Sequence, residues 1–207
     1  MKKMDDNALL KKYGIPLPAA KEVKTKQEAV DAAKQLGYPV VLKIKSSTIL
    51  HKTDAGGVKL GIQNEFQLRE AIEEMQKKIP SKDIQGFLVQ KFYDGHYVLI
   101  GMKRDAQFGP VIAFGLGGIF VEIMKDVSFR VAPITEKDAG EMMKEVKAYS
   151  ILEGARGGIK ADKKLLVEIL LAVSKMAMEN TELKEIDLNP VVVNEKQAVA
   201  VDVRLIK

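Results

Sequence analysis

The sequence contains no cysteine. That absence excludes disulfides, thiolate metal sites and a cysteine nucleophile together, and it fits a reducing cytoplasm. No window approaches about 18 consecutive apolar residues, so no transmembrane helix is expected. The opening stretch, MKKMDDNALLKKYG, has lysines but no apolar run before its acidic pair, which argues against a secretory leader. Internal repeats, low-complexity tracts and Pro/Ser-rich linkers are also lacking. The net charge of +5 forms no block, because Lys and Glu interleave along the helical stretches as on solvated helix faces. Neither a nucleic-acid surface nor a membrane surface is expected. Histidine is scarce, with two in 207 residues, and one of them, His51, sits in the segment SSTILHKTDAGGV.

What is present is an ordinary globular balance of 46% hydrophobic and 29% charged residues, enough for one sizeable domain or two small lobes. DDNALLKKYG predicts a short helix ended by Gly14, and IPLPAAKEV an extended segment. Thr25 and Glu28 form a T-x-x-E capping box before a helix whose Ala29, Val30, Ala33 and Leu36 share a face. YPVVLKIK and GVKLGI predict two strands joined by the His51 segment. Asn64 caps a helix to about Lys78, with Phe66, Ala71, Ile72 and Met75 as its buried residues. In GFLVQKFYDGHYVLIGMKR two strands flank Asp94-Gly95, a hairpin cue. GPVIAFGLGGIFVEIM predicts strand, glycine loop and strand; helices follow near 135–149 and 162–180, capped by Thr135 and Asp162. Two strands around a tight NEKQ turn close the chain. The pattern is α+β with antiparallel hairpins. A first lobe over about 15–85, a second over 86–207 and a helix at 5–13 packing on either make up a single domain.

Four features bear on chemistry, each with a plainer alternative. Lys43 alternates with Leu42 and Ile44 along its strand, so it either meets a phosphate as a point charge or lies on an exposed sheet face. The segment from Ser46 to Gly57 is rich in hydroxyls and glycine, suited to backbone amides converging on phosphate oxygens. It lacks Walker spacing and leads into no helix. His51 within it is either a surface residue or a nucleophile toward phosphorus, oriented by a carboxylate such as Asp54. FGLGGIFVE fails the G-x-G-x-x-G pattern and is equally a tight connection, with Glu122 as a strand-face carboxylate. Asp187 and Asn189 share a face of one extended segment and Asp202 lies on the next; such oxygens suit Mg²⁺ or simply border a sheet end. Together the four describe a cleft for a magnesium nucleotide.

GIPLP, GYPVVLKI, ILHKTDAGGVKLGI, FGPVIAFGLGGIFVEIMKDVSFRVAPI and EIDLNPVVV resemble the ATP-grasp β subunit of the ADP-forming acetyl-CoA (acyl-CoA) synthetases, relatives of the succinyl-CoA synthetase β subunit. The resemblance runs over roughly residues 8 to 206. It implies an ATP-grasp fold whose two lobes hold ATP between antiparallel sheets. It also implies interconversion of acyl-CoA, ADP and phosphate with acid, ATP and CoA. By it, His51 is the phosphohistidine, Lys43 the phosphate-binding lysine, and Gln90, Lys91 and Phe92 the adenine hinge. Gly56 and Gly57 bring amides near the phosphates, and Asn189 and Asp202 hold magnesium. Glu122 and Arg156 fall in family-like segments without an assigned role. CoA and the first phosphohistidine belong to an α subunit, in an expected α2β2 assembly, which delivers an acyl phosphate or phosphohistidine. His96 departs from the family, which commonly has Glu there; it alters nucleotide binding or is a loop-edge residue. A regulatory nucleotide-binding module and a carboxylate–amine ligase remain as alternatives.

Overall fold

The computed structural model of the chain describes residues 5–49, 52–117 and 126–207. It divides into two compact units, Pro18–Tyr93 and Met1–Leu17 with Asp94–Lys207. Each builds its own sheet, with helices on one face.

Helix α1 (Asp6–Lys12) buries Leu9 and Leu10 in the core of the second unit. The Tyr13 hydroxyl donates to Glu179 at 2.8 Å and Lys207 pairs with Asp6 at 2.8 Å, which ties this end of the chain down. The expectation left that helix free to pack on either lobe; it belongs to the second.

The first unit contains β1 (Ala20–Val23), α2 (Lys26–Leu36), β2 (Val40–Lys45), β3 (Val58–Ile62), α3 (Glu65–Lys78), a 3-10 turn (Ser81–Asp83) and β4 (Gly86–Lys91). The capping box forms as the sequence predicts. Thr25 Oγ1 accepts from the Glu28 amide at 3.1 Å, and Glu28 accepts from the Thr25 amide at 3.3 Å. Asn64 caps α3 through the Gln67 amide at 3.0 Å. In α3 the buried set is Leu68, Ala71, Ile72 and Met75, spaced i, i+3, i+4, i+7. Phe66, expected inside, stands two residues off that stripe and is 72% exposed. The strands pair antiparallel in the order β1-β4-β2-β3. Val40, Leu42, Ile44, Phe87 and Val89 form the core beneath α2 and α3.

The second unit adds β5 (His96–Asp105), β6 (Gly109–Leu116), β7 (Val127–Val131), α4 (Glu136–Glu145), α5 (Tyr149–Leu152), α6 (Lys163–Glu179), β8 (Glu185–Val193), β9 (Ala198–Ala200) and β10 (Val203–Ile206). Its sheet runs β10-β8-β5-β6-β7, with β9 also on β8. Ile100, Met102, Ile112, Phe114, Ile186 and Leu188 face the core with α4 and α6. Arg104 donates to the carbonyls of Ala177 at 2.7 Å and Leu183 at 2.9 Å, which closes the C-terminal end of α6.

Several expectations need correction. Asp94-Gly95 is no hairpin: β4 and β5 lie in different sheets, and the pair begins the second unit. Gly95 is required there because its φ is 155° and a Cβ would stand 2.3 Å from the Val193 carbonyl oxygen. With β4 in the first sheet, the boundary falls after Tyr93, not at 86. The helix expected near 135–149 ends at Glu145, where Val146 turns extended. The closing strand is two, β9 and β10, both on β8. The strand expected after the glycine loop lies largely outside the described residues.

Candidate functional site

In the first unit, alternation turns Lys43 away from the face that packs on α2 and α3. Val41, two residues earlier, sits opposite Gln90, so Lys43 and Gln90 share one face of the sheet. Lys43 is half-buried, whereas Gln90 is a buried polar residue at 3% exposure. Lys91 alternates to the other face and is exposed; Phe92 donates its amide to the Pro39 carbonyl at 3.2 Å and is half-buried. Of the expected hinge residues, Gln90 therefore shares the face of Lys43 and Lys91 does not.

His51, Glu122 and the side chain of Arg156 lie outside the described residues. The flanks of His51 are described. The Gly56 amide donates to the Thr53 carbonyl at 3.0 Å, and the Gly57 amide to Lys52 at 2.7 Å. Those amides were expected to face phosphate, but the loop itself uses them. The glycines serve the turn: Gly56 has φ of 73°, and a Cβ on Gly57 would sit 2.6 Å from the Ile44 side chain.

In the second unit, the pairs Val191–Ala200 and Leu188–Val203 follow one register. That register places Asn189 directly opposite Asp202, and the Asn189 amide donates to the Asp202 carbonyl at 3.2 Å. Residues directly opposed share a face, so the two expected metal ligands are brought together. Asp187 lies on the same face, opposite Arg204. Burial first, then the charges of Glu185 and Asp202, push the Asp187 carboxyl above its ordinary range, and Arg204 offsets part of this. A half-buried carboxyl whose ionisation burial disfavours, beside the oxygens of Asn189 and Asp202, fits a divalent cation, whose charge offsets that cost. Among the described residues no group of three His, Cys, Asp or Glu side chains encloses a metal. That openness suits Mg²⁺, which takes one or two protein oxygens and completes its shell with phosphates and water.

One row crosses the sheet as Arg204, Asp187, Gly101, Ala113 and Phe129. Gly101 and Ala113 add almost no side chain, so the surface dips into a trough of about 490 Å³ that also borders Lys103 and Glu185. The spacing of residues along one segment carries no sign of this trough, which needs the register of four strands. His96 does not reach into it. Its Nε2 lies 2.5 Å from the Ile159 carbonyl, so this nitrogen carries the proton and donates.

A model described as the ATP-grasp domain matches residues 1–206. The β subunit of acetate–CoA ligase (ADP-forming) I from Pyrococcus furiosus is 49% identical over 203 residues, which cover 96% of this chain and 88% of that one. The chain belongs to the ATP-grasp family of ADP-forming acyl-CoA ligase β subunits. A second relative in this ATP-grasp family, the acetate–CoA ligase (ADP-forming) I of Archaeoglobus fulgidus, is 46% identical over 202 residues. The match spans 96% of this chain but 30% of that protein's length. The dinucleotide forming acetyl-coenzyme A synthetase 1 of Ca. Korarchaeum cryptofilum, in complex with coenzyme A, Ca-AMPCP and HgCl⁺, has the same fold. Its TM-score is 0.88 at 44% identity, covering 97% of this chain and 90% of that one. With coenzyme A and Mg-AMPPCP, that ATP-grasp protein has its phosphohistidine segment pointing towards the nucleotide binding site (TM-score 0.81, 43% identity, 95% and 87% covered).

Proposed function

We propose that the chain is the nucleotide-binding β subunit of an ADP-forming acetate or acyl-CoA ligase. It interconverts acyl-CoA, ADP and phosphate with acid, ATP and CoA, together with a CoA-binding α subunit. The observation that carries this reading is the opposed pair Asn189–Asp202 beside Asp187, an open set of oxygens within a chain 49% identical to such a subunit. Lys43 binds phosphate oxygens as a point charge, and Gln90 and Phe92, with Lys91 beside them, receive the base. Asn189 and Asp202 hold Mg²⁺, which when bound neutralises charge on the phosphate oxygens. His51 attacks the γ-phosphorus of ATP through a ring nitrogen. An N–P bond forms as the bridging O–P bond breaks, and the electron pair leaves on ADP. The reverse transfer makes ATP. Positioning and charge neutralisation supply most of the acceleration in phosphoryl transfer, which is what these residues offer.

The α subunit would provide CoA binding and acyl phosphate, in an α2β2 assembly working in the cytoplasm. The 30% match to the longer Archaeoglobus protein supports this, since the remaining functions of such a ligase would there occupy the same chain. The test is co-purification with the α subunit, followed by ATP formation from an acyl-CoA panel, ADP, phosphate and Mg²⁺. The complex makes ATP, and His51→Ala abolishes it; full turnover by that variant would refute the carrier.

A further inference from the structure

Most of the described arginine side chains have a structural partner. Arg69 pairs with Glu65, Arg130 pairs with Glu145, and Arg104 donates to the carbonyls at the end of α6. Arg204 differs. It stands directly opposite Asp187 across β10 and β8, yet its guanidinium makes no hydrogen bond or ion pair among the described residues. Its neighbours Val203 and Leu205 pack against the core, so Arg204 projects from the other face of the sheet and is exposed. Asn189 and Asp202 lie on that same face one row away, with Asp202 about 7 Å from Arg204 along the chain. A second cation on this face, Lys103, is a row further from the pair and faces Glu185. An open guanidinium beside the two metal-holding residues keeps its planar fork of donors available to a ligand.

We propose that Arg204 contacts the terminal phosphate of ATP, donating through its fork to two non-bridging oxygens, and so separates ATP from ADP. This role rests on the chain binding Mg-ATP at Asn189 and Asp202, and it is independent of which group accepts the phosphoryl. Mg²⁺ shared between the last two phosphates leaves terminal oxygens for a second cation to meet. During transfer the charge spreads over three equatorial oxygens, and a cation fixed beside them holds the group in place. Arginine suits that position better than lysine, because two parallel N–H bonds set orientation as well as charge. ADP has no phosphoryl group at that point, so the contact is made with ATP alone.

The test is calorimetric titration of the full chain with Mg²⁺ and either ADP or β,γ-methylene-ATP, whose terminal phosphate is not cleaved. Loss of a hydrogen bond to a charged group weakens binding by about tenfold or more. Arg204→Ala therefore binds the analogue about tenfold more weakly than wild type, with ADP affinity and the Mg²⁺ requirement unchanged, and Arg204→Lys recovers part of the loss. Arg204 is exposed, so neither substitution disturbs the core. Asp187→Asn separates contact from support. In that background Arg204→Ala still weakens analogue binding about tenfold, whereas no further loss means that the arginine acts only through Asp187 and overturns the proposal. Equal weakening of ADP and the analogue, or weakening of neither, also overturns it. A wild-type chain that binds neither nucleotide refutes the Mg-ATP reading itself, and the role of Arg204 with it.

Discussion

At Asn189, truncating the side chain to a methyl group removes the amide oxygen of one of two residues opposed across β8 and the returning chain. Loss of a group that merely supports a metal ligand weakens a site about 10- to 100-fold. Asn189→Ala or Asp202→Ala therefore raises the Mg²⁺ concentration needed for nucleotide binding at least tenfold or so. Calorimetric titration of ATP at stepped Mg²⁺ checks this. Lys43→Ala weakens nucleotide binding by another route, leaving the Mg²⁺ dependence in place. Tyr38 offers a contrast without function. Its hydroxyl is buried and has no hydrogen-bond partner among the described residues. An unsatisfied buried hydroxyl costs about 1–3 kcal/mol, so Tyr38→Phe leaves stability unchanged or raises it in urea unfolding.

At the scale of elements, caps and ion pairs set how the helices respond to mutation and acid. Thr135 and Asp138 close a capping box on α4, so Thr135→Ala costs about 1 kcal/mol in unfolding free energy. Hydrogen bonds from Lys34 and Arg69 hold Glu65 below the ordinary carboxylate range; Arg130 does the same for Glu145, and Thr135 holds Asp138 below the ordinary range of an aspartate. A carboxyl whose folded pKa is depressed contributes stability that is present above its unfolded pKa and lost as pH falls through the folded one. The melting temperature is therefore expected to hold from neutral pH down to about 5 and to fall below that, less steeply in Glu65→Gln. What was legible in the sequence follows the same division. Thr25, Asn64 and Thr135 announced their helices because a cap is made within four residues. Asp94-Gly95 carried the local chemistry of a hairpin, but strand pairing is non-local, and its two flanking strands joined different sheets. Asn189 and Asp202 could be paired from the sequence because one register runs unbroken through the NEKQ turn. The amides of Gly56 and Gly57 could not, since where an N–H points depends on the loop's own conformation. The trough over Gly101 and Ala113 was hidden because it exists only across strands.

At the scale of the whole molecule, each unit keeps a sheet face turned from its helices, and the residues proposed for the chemistry lie there: Lys43 and Gln90 on one, Asn189 and Asp202 on the other. On the proposed function Mg-ATP would bind the folded chain and not the unfolded one, so ligand at about 100 times its Kd is expected to add about 2.7 kcal/mol of stability, seen as a rise in melting temperature that depends on Mg²⁺. The central claim concerns His51, on which the carrier chemistry depends. The most direct measurement is peptide mapping of the full chain after reaction with Mg-[γ-³²P]ATP under alkaline work-up, which preserves phosphoramidates. Acid-labile phosphate is expected on the peptide containing His51, lost on addition of ADP and absent from His51→Ala. Label on another residue, or undiminished label in that variant, would contradict the claim.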